Sequence, residues 1–259
     1  MEKVQSKDGT EIAFERVGSG PAVILVDGAL CSRAFGPMPK LAPLLARHFT
    51  VFLYDRRGRG ESGDTRPYSA MREVEDIAAL IGAAGGRASL VGLSSGGALA
   101  LEAAASNLPI AKVVAYEPPY VLDERHAKAD HAGRLGELLA ADRRGAAVHY
   151  FMHDMVGIPA PFAYLMRLMP RMWKQLKAVA HTLPYDAVIM GDFRPPARFS
   201  SIRVPALAMH GEKSDVKLRN AVQAVAALVP NVQCRSLPGQ THNVKLDVLA
   251  PELVEFLST

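Results

Sequence analysis

Long apolar runs and cysteines are both scarce in this sequence. No run reaches the roughly 18 consecutive apolar residues that a membrane-spanning helix requires, and the charged N-terminal segment has no secretory apolar stretch. The two cysteines, Cys31 and Cys234, lie far apart and fit reduced thiols better than a disulfide framework. We therefore expect a cytoplasmic protein without a membrane partner.

Motifs for binding metals, nucleotides and nucleic acids are also absent. No group of His, Cys or Asp has the spacing of metal ligands, and no glycine-rich nucleotide loop occurs. The formal charge is +4, and the densest basic cluster, Arg56-Arg57-Gly58-Arg59, has no interleaved aromatic residues. We expect a small-molecule substrate, no cofactor, no metal and no nucleic acid, while homo-oligomer formation stays open.

The order of apolar segments predicts an α/β protein. After a hairpin around Asp8-Gly9, strand-like runs alternate with helical patterns, which favours a mostly parallel sheet with helices on both faces. Runs such as Ala22–Val26 and Thr50–Tyr54 are continuously apolar, as expected for strands buried on both faces. At 259 residues, one domain with an elaboration is favoured over two equal domains.

The alternation stops between residues 120 and 199. This segment contains helical pieces separated by Gly and Pro, and it holds six of the ten methionines. We therefore predict a core formed by residues 1–119 and 200–259, with a helical cap inserted at 120–199. The flexible methionines favour an adaptable apolar pocket in the cap. The aromatic candidates for lining this pocket are Phe151, Phe162, Tyr164 and Trp173.

The segment Gly92-Leu93-Ser94-Ser95-Gly96 carries the strongest chemical signal. It follows the short strand-like run Ala88–Val91 and precedes an alanine-rich helical stretch. A G-x-S-x-G turn between a strand and a helix is a nucleophile elbow, which lifts a serine hydroxyl above the sheet edge. Glycine is needed at both flanks because a Cβ there would collide with the strand and helix. The pattern predicts Ser94 as a nucleophile.

His242 is the best candidate for the base that activates this serine. A serine hydroxyl has a pKa far too high to attack unaided, so it needs a base within hydrogen-bond reach and an acid that orients the base. Of the eight histidines, His242 lies in the loop between the last predicted strand and the last predicted helix. The chain order Ser…acid…His expects the base in this loop.

Two carboxylates compete for the position of the acid. Asp215 follows the predicted strand 204–209, where the third member usually lies, but the usual spacing falls on Ser214, one residue earlier. Glu117 ends the preceding predicted strand, from which the acid can also be presented. The order of the elements slightly favours Asp215. Its alternative role is to cap the following helix, and that of Glu117 is to hold local amides in a turn.

Two backbone N–H groups are expected to stabilise the oxyanion of an acyl-transfer reaction. One is the N–H of Ser95, at the positive end of its helix. The other comes from the loop Asp27–Leu30, in which Ala29 is best placed.

These segments together resemble the α/β-hydrolase family, in its serine-hydrolase branch, over essentially the whole chain. The resemblance is carried by Val26-Asp27-Gly28-Ala29, Tyr54–Ser62, the elbow and Pro238–His242. It implies an eight-stranded sheet with a cap over the site. Where the family usually has His-Gly in the oxyanion loop, this chain has Asp27-Gly28. The extra carboxylate either braces the loop, which we favour, or disfavours anionic substrates.

The serine at the elbow limits the classes of reaction that the resemblance implies. Similar epoxide hydrolases and haloalkane dehalogenases attack with an aspartate, so Ser94 favours acyl transfer to water through a covalent ester. The resemblance implies a carboxylesterase-like enzyme for a small, largely apolar ester, lactone or thioester. Three alternatives stay open: a C–C bond hydrolase, a cofactor-free haloperoxidase-like enzyme with the same triad, and a non-catalytic hydrolase-fold binding protein.

Overall fold

A computed structural model describes residues 1–121 and 129–259, so residues 122–128 of the predicted cap lie outside the described residues. The strands of the described residues are β1 (Glu2–Gln5), β2 (Glu11–Val17), β3 (Ala22–Val26), β4 (Thr50–Tyr54), β5 (Ala88–Leu93), β6 (Ile110–Tyr116), β7 (Ala206–Gly211) and β8 (Val232–Leu237).

These strands form one eight-stranded sheet in the order β1-β2-β4-β3-β5-β6-β7-β8. The β1–β2 hairpin turns around Asp8-Gly9 and pairs antiparallel with β4, whereas the strands from β4 to β8 pair in parallel. The predicted fold class is confirmed. Strand β5 lies between β3 and β6, so the loops that follow these three strands meet at one edge of the sheet, where open α/β sheets bind their ligands.

The helices of the described residues are α1 (Met38–Leu45), α2 (Ala70–Ala83), α3 (Ser95–Ala105), α4 (His131–Ala140), α5 (Arg144–Tyr150), α6 (Ala160–Leu165), α7 (Pro170–Val179), α8 (Leu183–Met190), α9 (Val216–Leu228) and α10 (Leu246–Ser258). A π-helical turn at Phe151–Met155 and three 3₁₀ turns occur between Met166 and Ser201. No helix of these residues is long and apolar enough to cross a membrane.

The central strands of the sheet are buried on both faces, which explains their continuous apolar runs. Along β3, Val23 and Leu25 pack into the layer formed with α1 and α10, while Ile24 and Val26 pack into the opposite layer with α2 and α3. Because successive side chains of a strand point to opposite faces, each residue of such a strand must be apolar.

The segment 129–190 contains helices and no strand among its described residues. Its own apolar cluster includes Leu138, Val148 and Leu176 and also takes in Leu30 of the sheet domain. Helix α8 is different, because its Ile189 and Met190 pack into the layer that contains α3. The division of the chain at residues 119 and 200 stays a prediction.

Candidate active site

Ser94 lies at a sharp turn between β5 and α3. Its backbone angles, φ of 55° and ψ of −129°, lie in a region that residues other than glycine rarely adopt. A Cβ on Gly92 would lie 2.2 Å from the Gly96 carbonyl oxygen, and one on Gly96 would lie 2.2 Å from that of Val26. Both glycines are therefore required by the close approach of strand, helix and neighbouring strand.

The sheet register places Ser94 beside the end of β6. Leu93 pairs with Tyr116, and the Ser94 N–H donates to the Tyr116 carbonyl at 2.9 Å. Glu117 follows Tyr116, so Ser94 and Glu117 occupy adjacent positions at the carboxyl edge of two neighbouring strands. Neighbouring strands lie about 4.8 Å apart, which brings the two backbones close together.

Glu117 is fully buried and binds His242. Its Oε2 lies 2.7 Å from His242 Nδ1, while its Oε1 accepts hydrogen bonds from the Gly211 N–H at 2.7 Å and from the Ser214 hydroxyl. Burial alone would raise the pKa of this carboxyl. The hydrogen bonds from His242 and Ser214 outweigh burial, so the pKa of Glu117 lies below its usual value and the group is ionised at neutral pH.

The carboxylate fixes the tautomer of the imidazole. Because an ionised carboxylate only accepts hydrogen bonds, Nδ1 of His242 carries the proton, and Nε2 of the neutral ring keeps a lone pair. The loop before His242 is held by Tyr116, whose hydroxyl donates to the Thr241 carbonyl at 2.7 Å. Among the described groups, the Ser94 hydroxyl makes no direct hydrogen bond with His242.

Asp215 does not take part in this arrangement, and the preference for it over Glu117 is corrected. Its side chain is exposed and accepts a hydrogen bond from the Lys217 N–H at 2.7 Å, which caps α9. The turn after β7 buries Ser214 and turns the next residue outward. The sequence contained a signal for this outcome, because Asp215 lies one residue beyond the usual position of the acid. That position holds the buried Ser214, whose hydroxyl donates to the carboxylate of Glu117.

The loop after β3 contacts the elbow directly. A Cβ on Gly28 would lie 3.3 Å from the Cβ of Ser94, so the loop and the nucleophile are packed against each other. Neither the Ala29 N–H nor the Ser95 N–H donates to an acceptor among the described residues. Both predicted oxyanion donors are therefore free for a ligand, and their role stays a prediction.

Asp27, the departure in the oxyanion loop, braces this loop from within. Its buried Oδ1 accepts the Gly28 N–H at 2.9 Å, and Oδ2 has no hydrogen-bond partner among the described residues. Burial raises the pKa of Asp27 to about 7, against the opposing effects of the Gly28 N–H, the nearby Cys31 thiol and two arginines. The hydrogen bond is the bracing contact that the sequence favoured. The effect of Asp27 on anionic substrates stays a prediction.

A buried ion cluster behind the elbow was missed by the sequence reasoning. Asp186, on α8, binds Arg56 through Oδ1 and Arg59 through Oδ2, both at 2.7 Å, and Oδ1 also accepts the Ser95 hydroxyl at 2.8 Å. Arg56 is bound in addition by both carboxylate oxygens of Glu73. The cluster of arginines was the available signal, but it did not reveal that the partner shared by Arg56 and Arg59 lies about 130 residues later in the chain.

The four aromatic candidates of the cap are not in equivalent positions. Phe162 and Tyr164 are 62% and 51% exposed, so they do not line an enclosed pocket. Phe151 and Trp173 are partly buried against the apolar cluster of the cap, which also contacts Ala29 and Leu30. The apolar surface next to the oxyanion loop therefore comes from this cluster and not from the exposed aromatics.

Comparison with known proteins agrees with this architecture. The sequence profile described as the alpha/beta hydrolase family matches residues 21–255, which include the elbow, Glu117 and His242. The chain belongs to the alpha/beta hydrolase family. Within this family it is a hydrolase enzyme, because relatives that match most of its length include an alpha/beta hydrolase and a methyl ester esterase.

Three relatives of the alpha/beta hydrolase family cover nearly the whole chain. A crystal structure of an alpha/beta hydrolase from Sphaerobacter thermophilus is 52% identical, with a TM-score of 0.92 over 99% of this chain and 100% of that one. The pimeloyl-[acyl-carrier protein] methyl ester esterase of Xanthomonas campestris is 27% identical over 87% of this chain and 89% of its own. The non-heme haloperoxidase of Rhodococcus erythropolis is 26% identical over the full length of both chains.

Proposed function

We propose that this hydrolase cleaves a small, largely apolar ester, lactone or thioester through a triad of Ser94, His242 and Glu117. The observation that carries the proposal is the 2.7 Å hydrogen bond between the Glu117 carboxylate and His242 Nδ1, at the sheet edge beside Ser94. The apolar cap cluster that reaches Ala29 and Leu30 supports an apolar substrate.

In the acylation step, His242 Nε2 takes the proton of the Ser94 hydroxyl while the oxygen attacks the substrate carbonyl. The carbonyl oxygen becomes an oxyanion and accepts hydrogen bonds from the Ala29 and Ser95 N–H groups. The imidazolium that forms is stabilised by the ionised Glu117. Collapse of the tetrahedral intermediate transfers the proton from His242 to the leaving alcohol or thiol and leaves an acyl ester on Ser94.

In the second step, water attacks the acyl ester and gives its proton to His242, again through an oxyanion. Collapse releases the carboxylic acid and returns the proton to Ser94. Nε2 must approach the hydroxyl to within hydrogen-bond distance for both steps, and such contacts often tighten only when substrate is bound.

Active-site labelling tests this assignment. A fluorophosphonate probe is expected to label the wild type and not Ser94→Ala, and the variant should lose several orders of magnitude in turnover of p-nitrophenyl esters. Ser106→Ala, on the C-terminal end of the same helix, is the matched control and should behave as the wild type. A Ser94→Ala protein that keeps more than about a tenth of the activity would overturn the triad.

A second candidate is a haloperoxidase-like activity. The observation that favours it is the full-length similarity to the haloperoxidase of Rhodococcus erythropolis. Assaying short- and medium-chain p-nitrophenyl esters, aryl lactones and peroxide-dependent bromination with one preparation separates the candidates. Hydrolysis without bromination supports the first, and bromination without comparable ester turnover supports the second.

A further inference from the structure

One peptide group of the oxyanion loop is held by a buried guanidinium. Arg59 Nη1 donates to the Gly28 carbonyl oxygen at 2.6 Å. The Gly28 carbonyl and the Ala29 N–H belong to the same peptide unit, which is planar, and in a trans peptide the two groups point in opposite directions. The guanidinium therefore fixes the direction of the Ala29 N–H.

The same contact also increases the donor strength of this N–H. A charge-assisted hydrogen bond to the carbonyl polarises the amide, and hydrogen bonds in series strengthen one another in a low-dielectric interior. Arg59 is only 1% exposed, so water does not screen its charge. By contrast, the Gly28 N–H, one peptide earlier, is occupied by the Asp27 carboxylate.

Asp186 connects this peptide to the other predicted donor. One carboxylate oxygen binds Arg59 at 2.7 Å, and the other accepts the hydroxyl of Ser95 at 2.8 Å. The backbone N–H of Ser95 is the second donor, at the first residue of α3. The carboxylate is 1% exposed; burial would raise its pKa, but Arg59 and Arg56 outweigh burial and lower it, so it is ionised.

We propose that Arg59 and Asp186 are positioning residues that align both N–H donors of the oxyanion hole, and that Arg59 also strengthens the donor of Ala29. Arg59 acts through the Gly28 carbonyl, and Asp186 acts through Arg59 and through the Ser95 hydroxyl. Neither residue touches the substrate. The proposal rests on the proposed function in one respect: the Ala29 and Ser95 N–H groups must be the groups that receive the oxyanion.

Arg57 provides a matched control. It is fully buried in the same loop and binds two carboxylates, Asp76 and Asp8, but it does not contact the oxyanion loop. Arg59→Lys and Arg57→Lys therefore make the same change in similar buried ion pairs. Only Arg59→Lys removes the planar guanidinium that donates to the Gly28 carbonyl.

The decisive measurements are the KM-against-kcat split and the affinity of an alkyl trifluoromethyl ketone, whose adduct with Ser94 carries an oxyanion. Removal of one oxyanion donor lowers kcat by about 100-fold or more, so a weakened donor in Arg59→Lys should lower kcat by about 10- to 100-fold. KM should be unchanged, and the ketone affinity should fall by the same factor as kcat. Arg57→Lys should change neither. If Arg59→Lys binds the ketone with the affinity of the wild type, the proposal is overturned.

Two further readouts cover the remaining outcomes. If Arg59→Lys does not fold, Ser95→Ala decides, since it removes the contact with Asp186 and should lower kcat and ketone affinity together; unchanged ketone affinity overturns the proposal.

If the wild type neither hydrolyses esters nor binds the ketone, the proposed function fails. The NMR chemical shift of the Ala29 amide proton still tests the positioning. If this chemical shift moves upfield in Arg59→Lys but not in Arg57→Lys, the positioning is supported; if it is the same in Arg59→Lys as in the wild type, the proposal is overturned.

Discussion

Glu117 and His242 are joined by a 2.7 Å hydrogen bond across 125 residues of sequence. Glu117 directly follows the end of β6, whereas the turn after β7 contributes a serine hydroxyl to the same carboxylate. Glu117 has a φ of 45°, so its backbone is in the left-handed region, and two hydrogen bonds to Oε1 hold the side chain in place. The carboxylate is thereby preorganised for the imidazole.

Neutralising Glu117 should be far more harmful than neutralising Asp215. Glu117→Gln removes the charge that stabilises the imidazolium, and by analogy with the protease triad kcat should fall by about 10⁴-fold. Asp215→Asn should keep kcat within about tenfold of the wild type, since Asp215 caps a helix on the surface. Steady-state turnover of one activated ester by both variants checks this. If kcat falls more in Asp215→Asn than in Glu117→Gln, Asp215 and not Glu117 is the acid.

Asp215 should instead contribute to stability. Asp215→Ala removes the acceptor for the Lys217 N–H and should lower the free energy of unfolding by about 1 kcal/mol, with kcat unchanged. Urea denaturation measures the difference, and Asp215→Asn is the control because asparagine also caps helices well. Equal stability of the alanine variant and the wild type would contradict the capping role.

Activity lost in Glu117→Gln should be partly recovered by a carboxylate at position 214. Ser214 occupies the usual position of the acid after β7, and its hydroxyl already reaches Oε1 of Glu117. The double variant Glu117→Gln with Ser214→Asp should therefore exceed Glu117→Gln in kcat by about tenfold or more, since the carboxylate again stabilises the imidazolium. Ser214→Asn in the same background is the control. If the aspartate gives no more activity than the asparagine, position 214 does not face the imidazole.

Asp27 should make the wild type less stable as the pH rises. Its pKa is about 7 in the folded protein against 3.8 for an unperturbed carboxyl, so the folded state binds more protons between these values. Below about pH 4, Asp27 makes its full contribution to the free energy of unfolding, on the order of 4 kcal/mol. This contribution is lost as the pH rises to about 7. In Asp27→Asn this contribution should be absent. Chemical denaturation of both proteins from pH 4 to 8 tests this, and parallel profiles would contradict it.

The elements that position the site could largely be predicted from the sequence, because they follow from strong local patterns. The apolar runs of β3 and β4 are typical of strands buried on both faces, and the elbow needs glycine at both flanks. Strand β7 begins at Ala206 rather than at Val204 because Pro205 between them has no N–H for the sheet ladder. The order of the elements also predicts where Ser94 and the loop of His242 lie, and their catalytic roles stay predictions.

The choice of acid and the ion cluster could not be derived in the same way. A carboxylate after β6 and one after β7 can both reach the loop of His242, and only the path of the turn at 211–215 decides which does. The pairing of Asp186 with Arg56 and Arg59 depends on how the cap segment returns to the sheet, which local periodicity does not encode.

The position of Asp186 on α8 has a consequence for how cap segments can be exchanged between related enzymes. A graft that replaces α8 removes the carboxylate from between two buried guanidinium groups and leaves both without that partner, which is costly in a protein interior. A graft that joins the chains before Thr182 keeps the cluster intact, because the Thr182 hydroxyl accepts a hydrogen bond from Arg59 Nε at 3.0 Å. We therefore expect that helix α8 can be exchanged only together with the sheet, while the helices before it can be replaced separately.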